Sequence, residues 1–176
     1  SIDVGSIGIG NGVSIGSTSA SSHSSYSIAI GDAARVEGNQ SVVIGYRANS
    51  ALQADHAISI GSGARTDGSH SIALGSAIVN HDNSIAIGTE TMTSGDRSIA
   101  IGLLAKIKEN YITPSSNSIA IGQEVSVDGG TSIAMGYGVR VDANRTVAIG
   151  SNNRRSNVLP YDWMPIVASD SVVLGY

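Results

Sequence analysis

Few residues of this chain are of types that do chemistry, and their spacing limits what chemistry is open to them. His56 and His70 stand fourteen residues apart, each one place before a string of the form Ser-Ile-Ala-Ile-Gly or a close variant. Two imidazoles so related suggest a metal or proton-sensitive pair. Neither has a carboxylate at the same phase nearby, so they read as two exposed rings on a varied polar ladder. If the strings stack, the rings lie about 4.8 Å apart. No Ser/His/Asp arrangement or paired-carboxylate cleft is present, and Ala57 and Thr146 replace the string's serine, so that serine is no nucleophile. Gly5-x-x-Gly8-x-Gly10 reads as degenerate repeat rather than a phosphate loop, because no helix follows it. The chain has no cysteine, which removes zinc thiolates and disulfides. The expectation is a protein that is not an enzyme, with no cofactor and no metal motif.

The residues best suited to bind something sit where a regular pattern breaks. One group is Lys106, Lys108 and Tyr111, within 103–117. The other is Arg154, Arg155, Tyr161 and Trp163, within 151–170. All three prolines and the one tryptophan fall in these two segments. Proline cannot serve an internal ladder, so both are read as bulges from a regular scaffold. Aromatic and arginine side chains on such bulges are the types that dominate binding hot spots. The alternative is that Leu159, Trp163, Met164 and Ile166 brace the end of the scaffold.

The pattern that these segments interrupt is a repeat. Copies of the string end at Gly16, Gly31, Gly45, Gly61, Gly75, Gly88, Gly102, Gly122, Gly136, Gly150 and Gly175, with steps of 15, 14, 16, 14, 13, 14, 20, 14, 14 and 25 residues. Such a period means one small unit, stacked. Inside the string, Ile alternates with Ser and Ala, which is the period of a strand. A second alternation follows three and five residues after the glycine, at Ala34 and Val36, Ala105 and Ile107, or Val139 and Val141. Each repeat is therefore strand, turn, strand, turn, and equal strands pair in parallel from one coil to the next. The fold class is an all-β parallel solenoid, a single domain over 1–176, regular over about 12–150 and again at 171–175.

Charged residues make up 14% of the 176 residues and the net charge is −4, which argues against a nucleic-acid partner. No apolar run approaches the roughly 18 residues of a membrane span, so this segment is not expected to insert into a bilayer directly. Both faces of the string are apolar or very small, and the inside of one coil can hide only one of them. An exposed aliphatic ladder along the whole column would be a large apolar patch. The simplest cover is further copies of the same chain about an axis parallel to the column. The residues assigned to roll or oligomer core are Ile28, Ile30, Ile72, Leu74, Ile85, Ile87, Ile99, Ile101, Ile119, Ile121, Ile133, Met135, Val147 and Ile149.

Asn83-Ser84-Ile85-Ala86-Ile87-Gly88 and Asn117-Ser118-Ile119-Ala120-Ile121-Gly122 closely resemble the head repeat of the YadA-like trimeric autotransporter adhesins. The resemblance implies a left-handed parallel β-roll, assembled as a homotrimer with two identical chains. It implies an extracellular place at the bacterial cell surface, on a fibre anchored in the outer membrane, and a role in cell adhesion and virulence. The partner it implies is a host matrix protein, or a glycan or protein on a host or bacterial cell surface. The same repeats occur in phage tail fibres, which leaves a receptor-binding module of a phage virion as the alternative, with a structural spacer third.

Overall fold

A computed structural model of the chain describes residues 5–16, 24–108, 115–151 and 169–175. Every strand pairing among them is parallel, and they link into one 18-stranded sheet that winds as a solenoid. No helix occurs among the described residues. Equal residues stack from coil to coil. Ile85, Ala86 and Ile87 lie on Ile99, Ala100 and Ile101, which are followed by Ile119, Ala120 and Ile121. Eleven such string strands, Ile7–Ile9 the first and Val172–Leu174 the last, make a column on the order of 50 Å tall at about 4.8 Å per step.

The second strand of a coil is short, as in Arg35–Val36, Lys106–Ile107 and Arg140–Val141. In two coils it fuses with the string strand, giving Ile72–Val79 and Ile85–Thr93, and the ladder between these two shifts between Thr89 and Met92. The sequence places the earliest full coil at Gly16, and the pairing corrects this. Ile7, Gly8 and Ile9 stack on Ile28, Ala29 and Ile30, while Ser14 and Ile15 stack on Arg35 and Val36. The first string is thus Ser6-Ile7-Gly8-Ile9-Gly10, with glycine in the alanine place. Gly16 ends the second strand of that coil, not the first.

The small face of the string points inward. Ala29, Ala73, Ala86, Ala100, Ala120 and Ala134 are fully buried, against inward Val36, Val79, Ile107, Val127 and Val141 of the second strands. A coil of two strands leaves room for one branched side chain per level only if its opposite number is alanine or serine, which is the physical reason for the Ser-x-Ala alternation. All fourteen residues assigned to roll or oligomer core are turned out of the roll. They are half-buried in the single chain, and Ile149 is 43% exposed.

The buried serine of each string is a staple between coils. Ser84 Oγ donates to Gly95 O at 2.8 Å and accepts the Ser98 N–H at 3.1 Å. Ser27, Ser41, Ser98, Ser118 and Ser132 repeat both bonds on their own neighbours. The string's glycine has a different reason. Gly122 has φ +131°, and a Cβ there would overlap the Gly136 carbonyl oxygen one coil on. The residue before the string is also left-handed, with φ between 51° and 59° at Tyr26, Gln40, His56, His70, Asn83, Arg97, Asn117, Thr131, Arg145 and Asp170. Non-glycine residues in this region cost on the order of 1 kcal/mol each. The ladder holds them there, for each N–H from Gln40 onward donates to a carbonyl one coil below, as His70 does to Asp55 O at 2.9 Å.

Candidate binding surfaces

The column offers three surfaces: the outward face of the string, the outward face of the second strand, and the corners. The string face carries two parallel aliphatic ladders, one through Ile28, Ile72, Ile85, Ile99, Ile119, Ile133 and Val147, and one through Ile30, Leu74, Ile87, Ile101, Ile121, Met135 and Ile149. It holds no charge and no hydrogen-bonding side chain at these positions. Its chemistry is burial of apolar area alone, worth roughly 25 cal/mol per Å² covered.

The second-strand face is polar. Its ladder runs Ser14, Arg35, Asn49, Arg65, Ile78, Met92, Lys106, Ser126 and Arg140. All three of its arginines are answered within their own coil. Arg35 pairs with Glu37, Arg65 with Asp67 at 2.7 Å, and Arg140 with Asp142 at 2.9 Å. Arg140 also reaches Asp128 at 3.3 Å, and Lys108 Nζ lies 3.9 Å from the same carboxylate. Burial is the main force on Asp128 and pushes its carboxyl above the usual value of 3.8; Lys108 pulls it down, Asp142 pushes it up, and Arg140 and the Ser126 hydroxyl pull it down. The Arg140 guanidinium is held further into its charged form, first by its hydrogen bond to Asp142.

Of the expected ligand contacts, Lys106 and Lys108 come together on this face. Lys106 points outward between Met92 and Ser126 on the ladder, and Lys108 follows at the strand's end, partly neutralised by Asp128. Tyr111, Arg154, Arg155, Tyr161 and Trp163 lie outside the described residues. Sequence reasoning passed over the Asp128, Arg140 and Asp142 network. The signal was there: basic residues four places after the glycine at Arg35, Arg65, Lys106 and Arg140, with an acid two places on at three of them.

Departures from the regular coil length favour one corner, where the second strand returns to the next string. From the last inward residue of the second strand to the next string's first residue is five places in a regular coil, as from Val127 to Ser132. Among fully described coils the interval is longer at this corner from Ser50 to Ala57; it is also longer in sequence from Ile15 to Ser27 and from Ile107 to Ser118, where 17–23 and 109–114 lie outside the described residues. Leu52, at 41% exposure, stands on the first of these. The two others are flanked by Gly16 and Ser24, and by Lys108 and Ser115, whose side chain bonds back to Lys108 O. The opposite corner carries exposed Tyr46 beside Arg47, with the guanidinium 5.1 Å from the ring centre, and exposed Leu103 and Tyr137.

A family model described as the YadA head domain repeat matches residues 22–48, 53–77, 82–105 and 128–153, more than half of the chain. The chain belongs to the YadA head family. The unmatched interval 106–127 spans the long interval from Ile107 to Ser118 of this YadA-type head, and 49–52 holds the start of the one from Ser50 to Ala57. No curated protein matches the chain. Family and solenoid together give an adhesin-like, surface-exposed structural domain.

Proposed function

We propose that this YadA-type head is the attachment tip of a homotrimeric surface fibre, acting without catalysis. The observation that carries the reading is the pair of outward aliphatic ladders: a face eleven coils tall, half-exposed in one chain, needs a partner of the same height. Three left-handed columns meeting on their string faces about one axis would bury both ladders and leave the polar second-strand faces and the extended corners outward. The place of action is the bacterial cell surface, and the partner is a matrix protein or a cell-surface glycan or protein. The contacts are assigned to Lys106, Lys108 and Tyr111 of one interrupted coil, with Arg154, Arg155, Tyr161 and Trp163 of the other. Each group would recur three times around the axis, so a weak single contact gains avidity with no new interaction.

The test is an array of matrix proteins and glycans probed with the purified chain, then with two variants. One shortens 103–117 to the regular coil length; the other carries Arg154→Ala, Arg155→Ala and Trp163→Ala. Adhesion lost with the trimer mass kept supports the reading. Adhesion kept in both variants overturns the assignment of the contacts, and failure of the unmodified chain to bind any array member speaks against an attachment role.

A further inference from the structure

We propose that His56 and His70 form a two-imidazole site for one late first-row divalent metal ion, Cu(II) foremost. The two rings are stacked, with centroids 4.7 Å apart and planes within 9°. That arrangement is fixed by the backbone. Both residues precede their strings at the same phase, with φ 57° and 56°. His56 N–H donates to Asn39 O at 2.8 Å and His70 N–H to Asp55 O at 2.9 Å, so each is locked to the coil below it. The side chains leave the column in parallel and both are exposed. The backbone part of the ordering that a flexible chain would have to undergo on binding is already complete, and only side-chain torsions remain to be set.

The surroundings suit a cation. The ladder neighbours at the same phase are Gln40 below and Asn83 above, both neutral, so no ammonium or guanidinium stands next to the rings on their own ladder. Asp55 and Asp82 lie on the same corner and add negative potential. Their carboxylates are engaged with the backbone, Asp55 Oδ1 accepting from Asn39 N–H at 2.7 Å and Asp82 Oδ1 from Ser69 N–H at 2.8 Å. His81 is out of phase with the pair, with its Nδ1 3.5 Å from Asp96 Oδ1. No group of three or more His, Asp or Glu side chains able to hold a metal occurs among the described residues. The site therefore supplies two nitrogens and fills the remaining positions with water, a set that fits tetragonal Cu(II) and the affinity order that places Cu(II) first.

Stacked rings aim their lone pairs side by side, not at a common point. Binding needs the rings to turn about Cβ–Cγ, a soft torsion. Metal–nitrogen bonds of about 2.0–2.1 Å place two cis nitrogens about 2.9 Å apart, which side chains one ladder step apart can reach. The sequence alone weighs against this site because it offers no carboxylate in phase; the fixed parallel exit of two imidazoles replaces that third ligand with geometry.

The experiment is titration of the full untagged chain with Cu(II), read by calorimetry and by electron paramagnetic resonance. The expected result is one Cu(II) per chain with two nitrogen ligands. His56→Asn and His70→Asn should each weaken binding at least tenfold, while His81→Asn leaves it unchanged. Asparagine is the chosen replacement because Asn83 and Asn117 already hold this ladder place at φ 57° and 58°, so the fold should be unaffected. A spectrum with a single nitrogen ligand, parental affinity in either His56→Asn or His70→Asn, or loss confined to His81→Asn would overturn the assignment.

Discussion

Replacing Ser84 by alanine tests whether the buried hydroxyls, and not only the aliphatic layers, hold one coil to the next. Ser84 is fully buried. Its Oγ donates to Gly95 O at 2.8 Å, contacts Asp82 O at 3.0 Å and accepts the Ser98 N–H at 3.1 Å. Alanine leaves the Ser98 donor and the Gly95 acceptor without that hydroxyl, and water cannot reach them. Leaving buried partners unsatisfied costs about 1–3 kcal/mol. At about 2–4 °C of Tm per kcal/mol for a chain of this size, the loss should be several degrees. The chain contains the reverse case. Ala57 holds the serine place of its coil and is fully buried, and Ser71 stacks one coil above it. Ala57→Ser should restore the staple, accepting the Ser71 N–H and donating toward Gly68 O, and raise Tm. Thermal unfolding followed by circular dichroism, on both variants at one protein concentration, gives the answer. Parental stability in Ser84→Ala, or a lower Tm in Ala57→Ser, would refute the reasoning that the staple stabilises.

Three further outcomes follow from other parts of the column. Ser50 Oγ is buried with no hydrogen-bond partner among the described residues, and inward Val43 of the same coil already fills its level; Ser50→Ala, which removes the unpaired hydroxyl without adding volume, should stabilise by up to about 1 kcal/mol, read as a higher urea midpoint, whereas Ser50→Val should overpack the level and lower it. Gly122→Ala should destabilise strongly, because its Cβ would overlap the Gly136 carbonyl oxygen at φ +131°; unchanged melting would show that the coils are less tightly stacked than described. Burial raises the Asp128 carboxyl above 3.8, so its contribution favours the fold below that pH and is lost as pH rises through the folded value. Asp128→Asn should therefore gain on the parent between pH 3.5 and pH 7, and an equal or worse difference at pH 7 would contradict the sign.

Much of the scaffold could be read from residues because a solenoid repeats its constraints. The alternation in Ser84-Ile85-Ala86-Ile87 and the inward places at Val139 and Val141 are local patterns; the structure has strands at Ile85–Thr93 and Arg140–Val141, with Val139 and Val141 both buried. What misled was spacing at the start. Gly10 and Gly31 are 21 residues apart, and Gly8 stands where alanine is usual, so the shorter interval from Gly16 looks like the period. Which string face turns inward depends on the thickness of the coil, a tertiary quantity. For that reason Ile28 to Ile149 were assigned jointly to roll and oligomer core, although they face outward. The left-handed residue before each string has no signature in type, since Tyr26, Thr131 and Arg145 all serve. The charged cluster at Asp128 and Arg140 needs three coils to assemble, and single-coil reading does not join them.

The central claim is that the outward aliphatic ladders are an interface between copies of this chain. Sedimentation equilibrium at micromolar concentration tests it most directly. The account predicts a species of about three times 17.8 kDa, lost together with the fold in Ile119→Asp, which would set three uncompensated carboxylates at one level of the stack. A folded, stable species at the mass of one chain would contradict it.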